Sequence, residues 1–242
     1  MKDKHQRQRE INLMQKFSGD VIGKLLGLGI IILMSAGCVM HIPLAEQVPS
    51  VGYASSSPIA LSIVDERNRV KKGKSKTFIG VAHGAFGIPS DLHIKPVVSV
   101  EEGDTERELA AFLSYRLARG LEQNGWKVTE LSLSSVPSEE EALRWLTEKG
   151  DESLLLLKLK EWYFSINLNW VTAFNFDSNM DVTIYRAGKG KVLDKNIAAR
   201  DVIDAQASQS YQNHILMAYR DRLAKILTDP EVRKALETND DD

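Results

Sequence analysis

The chain has 242 residues, with 31 Lys and Arg against 33 Asp and Glu, a formal net charge of −2 and one cysteine. This slightly acidic balance, with no basic face interleaved with aromatics, excludes an electrostatic nucleic-acid binder. The single cysteine excludes disulfides, CxxC redox pairs and cysteine zinc sites together, so packing alone has to stabilise the fold.

The first 24 residues are basic, because Lys2, Lys4, Arg7, Arg9, Lys16 and Lys24 outweigh Asp3, Glu10 and Asp20. Positive charge stays on the cytoplasmic side of a membrane, so the C-terminal part of the chain is predicted to be exported. Met14 offers a second, more compact start with the same mature product. Residues 25–37 then read Leu-Leu-Gly-Leu-Gly-Ile-Ile-Ile-Leu-Met-Ser-Ala-Gly, and Cys38 comes directly after them. A basic head, a short apolar core and small residues at the cut point make a secretory signal. With Cys38 next to the small residues, the stretch resembles the lipobox of bacterial lipoproteins, although Ser35 stands where that family prefers Leu. The resemblance implies lipidation of the Cys38 thiol and cleavage before it, giving a signal over 1–37. Val39 after the cysteine resembles the pattern that sorts such proteins to the outer membrane. The alternative is an uncleaved spanning helix over 25–45, a stretch free of Asp, Glu, Lys and Arg. Its strongly apolar part is shorter than the ~20 residues a span requires.

Residues 38–58, with Pro43, Pro49, Gly52, Ser55-Ser56-Ser57 and Pro58, show no periodicity and read as a flexible tether. A single domain is expected over 59–237. Ile59 to Val64 alternates like a half-buried strand. The next segment is basic, with Arg67, Arg69, Lys71, Lys72, Lys74 and Lys76. These six form a candidate site for anionic lipid or an acidic partner face, at about 1 kcal/mol per residue near an anionic membrane. The alternative is a solvated loop that guards a sheet edge.

A strand over Thr77 to Ala82 is followed by a Gly- and Pro-rich loop over 83–96 and a short strand from Val97 to Val100. A helix over 104–124 is predicted from a Thr105/Glu108 capping box and the run Leu109, Leu113, Leu117, Leu121. Trp126 to Leu133 reads as a strand. Ser138 and Glu141 cap a short helix that Gly150 ends. Ser153 to Phe164, Asn169 to Tyr185 and Lys191 to Ile203 are predicted to form an antiparallel meander. In the first of these, Leu157, Leu159 and Glu161 share one face. A helix over 209–227 and a short one from Asp229-Pro230 complete the domain. The acidic residues 238–242 form a frayed tail.

This order predicts an α+β fold: a mixed, largely antiparallel sheet with helices packed on one face. The motifs Asp65-x-Arg67, Ile79-Gly80, Asn124-Gly-Trp-x-Val128, Leu157-x-Leu159-x-x-Trp162 and the turn at Gly190 occur in this order. Together they resemble the YajG-type outer-membrane lipoproteins of Gram-negative bacteria, which implies a periplasmic domain without catalytic residues.

No catalytic constellation is legible. His41, His83, His93 and His214 lack metal-ligand spacing, and Asp91-Leu-His93 with His83 has no second carboxylate cluster. No GxSxG elbow occurs, and Gly80, Gly84 and Gly87 lack the Lys-Ser/Thr of a phosphate loop. Trp162, Tyr163, Phe164, Trp170, Phe174 and Phe176 crowd one hairpin, as core or as a partner surface. The expected protein is therefore a lipid-anchored, non-enzymatic envelope lipoprotein with a periplasmic binding or scaffolding domain. It would use no cofactor, metal or nucleic acid, and its partners would be the membrane, an envelope protein or anionic lipid. The alternative is an accessory lipoprotein subunit of an envelope transporter or assembly machine.

Overall fold

The computed structural model describes residues 41–167, 173–204 and 209–237. Cys38, Trp170 and the 238–242 tail therefore lie outside the described residues. The helices are α1 Leu44–Gln47, α2 Asn68–Lys71, α3 Ile94–Val97, α4 Leu109–Gln123, α5 Glu139–Lys149, α6 Tyr211–Leu227 and α7 Pro230–Leu236. One seven-stranded sheet contains β1 Ile59–Asp65, β2 Phe78–His83, β3 Pro89–His93, β4 Val128–Glu130, β5 Ser153–Asn167, β6 Ala173–Arg186 and β7 Gly190–Ile203. The α+β class and the mixed sheet agree with the sequence reading.

β5 organises the sheet. Along one edge its first half pairs in parallel with β1 and its last residues pair in parallel with β2, while β6 runs antiparallel along the other edge. β6 and β7 complete the expected meander. Leu155, Leu157 and Leu159 of β5 face the main core, and so do Trp162, Phe164 and Ile166. That change from odd to even positions is made by a bulge between Leu159 and Glu161. One extra residue inverts the alternation, so the apolar face continues across the bulge and Glu161 turns away from the core.

The main core lies between this face and α4 and α6, through residues such as Phe112, Leu117, Tyr219 and Leu223. The opposite face is also covered. Ala142 and Leu146 of α5 pack on Ala60, Val64, Leu154 and Leu156. The structure thus adds one helix to the far face of a layout expected to be one-sided. β1 is accordingly buried on both faces rather than half-buried.

Several local expectations change. The 83–96 loop contains β3 and the turn of α3, and Val97 to Val100 forms no strand. The Thr105/Glu108 box does not form; residues Asp104–Glu106 make a 3-10 turn, and α4 begins at Leu109 without a side-chain cap. The reason is that both Asp104 carboxylate oxygens are held by Arg116, one of them also taking the Val100 and Glu101 amides. By contrast, the Ser138–Glu141 box on α5 forms in full.

Candidate functional site

The six basic residues of 67–76 do not form a free cationic surface. Arg67 is fully buried and paired with Asp65 (2.8 Å), and its guanidinium donates to the carbonyls of Phe78 (2.6 Å) and Lys76 (3.1 Å). It is a structural rivet between β1 and β2. Arg69 pairs with Glu161 (3.1 Å) and lies 3.8 Å from the Tyr163 ring centroid. Lys71 pairs with Glu66 (3.0 Å), Lys76 with Glu108 (3.2 Å), and Lys74 with Asp91. Only Lys72 of the six makes no ion pair with a described residue. Each exposed pair contributes little stability, but together they neutralise the segment that sequence alone presents as a patch.

The aromatic hairpin is core. Trp162, Phe164, Phe174 and Phe176 are buried, and Trp162 packs on Phe176 and Tyr219 at centroid distances of 5.0 and 5.3 Å. Burial pushes the Tyr219 hydroxyl well above its ordinary range, with the Arg67 charge opposing. His83 and His93 stand at opposite ends of the β2–β3 ladder, so they cannot share an ion. His93 contacts the Thr77 hydroxyl (3.0 Å), and His214 stacks on Phe174. Among the described residues no three His, Cys, Asp or Glu side chains could hold a metal. A cleft of about 300 Å³ beside α4 mixes Ile63, Leu131 and Leu133 with Glu108, Ser114 and Glu130.

The unexpected feature is the segment expected to be a tether. Gln47, Val48, Val51 and Tyr53 are buried, so residues 42–53 are part of the domain. The segment runs along α6. The Ile42 amide donates to Asn213 Oδ1 (3.1 Å), Arg220 donates to the Glu46 carbonyl (3.1 Å), and the Tyr53 hydroxyl donates to the Leu227 carbonyl (2.8 Å). Its centre is fixed by Arg116, which reaches Gln47 Oε1 (2.7 Å) and Asp104 (2.8 Å) with all three side chains buried. Gly120 lets Pro49 approach α4, because a Cβ there would overlap the Pro49 carbonyl oxygen. No periodic pattern marks this segment, since it is buried by long-range contacts rather than by a repeat of its own.

Its start defines one end of the sheet. Ile42 lies on Asn213, and the adjacent His214 stacks on Phe174. Phe174 pairs with Ile166, which in turn pairs with Ala82 near the tip of the β2–β3 hairpin. That tip carries Phe86, 98% exposed, and Ile88, 66% exposed. Phe86 has φ 62° and ψ 15°, the one described non-glycine residue in the left-handed region. This conformation costs a side-chain-bearing residue roughly 1–2 kcal/mol. Sequence alone assigns these residues only to a Gly-rich loop.

Among the described residues no helix is long and apolar enough to cross a membrane. No family model matches the chain, and no curated protein matches it. Among solved structures the chain is similar to protein XCC0632 from Xanthomonas campestris, at 9% identity over 78% of this chain and 90% of that one, TM-score 0.42. It is also similar to the PelC dodecamer from Paraburkholderia phytofirmans, at 13% identity over 75% and 91%, TM-score 0.37. Lipoprotein GNA1162 from Neisseria meningitidis is matched at 10% identity over 69% and 99%, TM-score 0.27. These likenesses are too distant to bear on what this chain does.

Proposed function

We propose that this chain is a lipid-anchored, non-enzymatic lipoprotein of the bacterial cell envelope, with a periplasmic binding or scaffolding domain. The observation that carries this reading is the single cysteine, Cys38, placed directly after a basic head and the apolar run 25–37, with the folded domain starting at Ile42 just beyond it. A thiol acylated at Cys38 would lie only four residues before Ile42, a reach of at most about 14 Å. Two or more acyl chains give stable attachment where one does not. Val39 and the motif order that resembles YajG-type lipoproteins favour the periplasmic face of the outer membrane.

Labelling cells with radioactive palmitate tests this reading. The wild-type chain should carry label and sediment with membranes, and Cys38→Ser should lose both. A wild-type chain that takes up no label, stays uncut and remains membrane-bound would instead favour a spanning helix over 25–45.

A second reading, an accessory subunit of an envelope transporter or assembly machine, is favoured by β7. Among the described residues this 14-residue strand pairs with no strand but β6, which leaves most of its outer edge for a partner strand beyond the Lys191 amide that Glu139 accepts from. Crosslinking from β7 in intact cells would then give a stoichiometric adduct with a transporter component.

A further inference from the structure

We infer that the β2–β3 hairpin tip, through Phe86 and Ile88, inserts into the lipid surface to which the chain is anchored, as a second membrane contact. This inference rests on the lipid-anchor reading above and adds to it the face that meets the bilayer.

The fold presents the tip to solvent and holds it there. Gly84 and Gly87 bracket the tip, the Gly84 amide donates to the Ile88 carbonyl (3.1 Å), and the Gly87 amide donates to the Gly84 carbonyl (3.0 Å). This braced turn holds Phe86 in the left-handed region and leaves it 98% exposed. Backbone strain maintained by the surrounding structure is the kind that accompanies function.

The chemistry of the tip suits lipid. Residues 84–90 read Gly-Ala-Phe-Gly-Ile-Pro-Ser and contain no charged side chain. The nearest downstream charge, Asp91, is paired with Lys74. A convex, uncharged tip with an aromatic and an aliphatic side chain fits the headgroup–acyl boundary. An apolar partner groove would accept the same side chains, but it would not explain where the tip lies.

The tip lies at the end of the sheet where the docked segment starts. The contacts Ile42–Asn213, His214–Phe174, Phe174–Ile166 and Ile166–Ala82 place the start of the docked segment and the tip at one end of the sheet. The β6–β7 turn at Gly188 lies at the other end, where β5 begins. An acylated Cys38, four residues before Ile42, would favour contact of the Phe86 end rather than the Gly188 end with the lipid surface.

The test uses the full chain, lipidated in cells, purified in detergent and reconstituted into phosphatidylethanolamine–phosphatidylglycerol vesicles. An environment-sensitive dye is attached at Ile88→Cys or, as a control, at Lys189→Cys, and lipidation of Cys38 is verified by intact mass. The expected result is a blue-shifted dye at 88, quenched by spin-labelled lipid, and a water-like dye at 189. A lipidated, vesicle-bound chain with a water-like dye at 88 overturns the insertion and leaves the anchor reading standing. A blue shift that requires envelope proteins in the vesicle overturns it in favour of a protein partner. An unmodified Cys38 mass overturns the anchor reading, and the insertion with it.

Discussion

Arg116 donates to the amide oxygen of Gln47 from both Nη2 (2.7 Å) and Nε (3.1 Å), joining residues 69 apart in the chain inside the core. The same guanidinium is paired with Asp104 and lies 3.5 Å from the Phe112 ring centroid. One buried cation thus binds the segment after Cys38 to α4 and to the turn that precedes it. Removing one member of such a buried pair leaves an uncompensated charge, which costs about 3–5 kcal/mol. Arg116→Met and Asp104→Asn should each lower the urea midpoint accordingly. Gln47→Ala should cost about 2 kcal/mol, because two charge-assisted hydrogen bonds lose their acceptor.

The same site sets an acid limit. Burial alone would raise the Asp104 carboxyl, but the Arg116 hydrogen bond and charge, with the Val100 and Glu101 amides, hold it below the usual carboxylate range. A depressed folded pKa contributes stability that is present above the unfolded value, near ~3.9, and lost as pH falls through the folded one. Thermal melts between neutral pH and about pH 2 should therefore decline at the acid end. The Asp104→Asn chain should lose part of that slope, starting from a lower midpoint at neutral pH.

Gly120 separates docking of the segment from general stability. A methyl group there meets the Pro49 carbonyl oxygen and ring. Gly120→Ala should push residues 47–51 off α4 at a cost of about 1–3 kcal/mol. Hydrogen exchange should rise in residues 42–53 and stay low in β5 and β6. Uniform loss of protection across the sheet would contradict a local clasp.

The basic segment should behave as paired charge. Replacing Lys71, Lys74 and Lys76 by Gln should change binding to anionic vesicles by less than about threefold, since each already has a carboxylate partner. Arg67→Lys should instead cost about 3 kcal/mol. The guanidinium reaches both Asp65 oxygens and the Phe78 and Lys76 carbonyls from three separate nitrogens, four contacts that the three donors of a single ammonium nitrogen do not span. A large loss of vesicle binding in the lysine variant would restore the lipid-binding patch.

Sequence patterns are reliable in this chain where local physics decides the structure. The Ser138–Glu141 box, the strand of β6 and the Asp229-Pro230 start of α7 all form as expected. The departures share a cause in long-range contacts. Thr105 and Glu108 carry a capping signature, yet Arg116 commits Asp104 to a different turn. Glu161 neutralises Arg69 from 92 residues away, after a bulge turns it from the core face. Val48, Val51 and Tyr53 have no periodicity, and helices far along the chain bury them. Phe86 reads as loop filler because sequence carries no record of its backbone angles.

Anchoring through Cys38 is the proposal on which the membrane contact of the β2–β3 tip depends. Intact mass spectrometry of the protein purified from membranes decides it. The expected species is a mature chain beginning at Cys38 and carrying a diacylglyceryl group, with or without a further acyl chain. A chain that retains residues 1–37, or one that begins at a free, unmodified Cys38, would overturn the proposal.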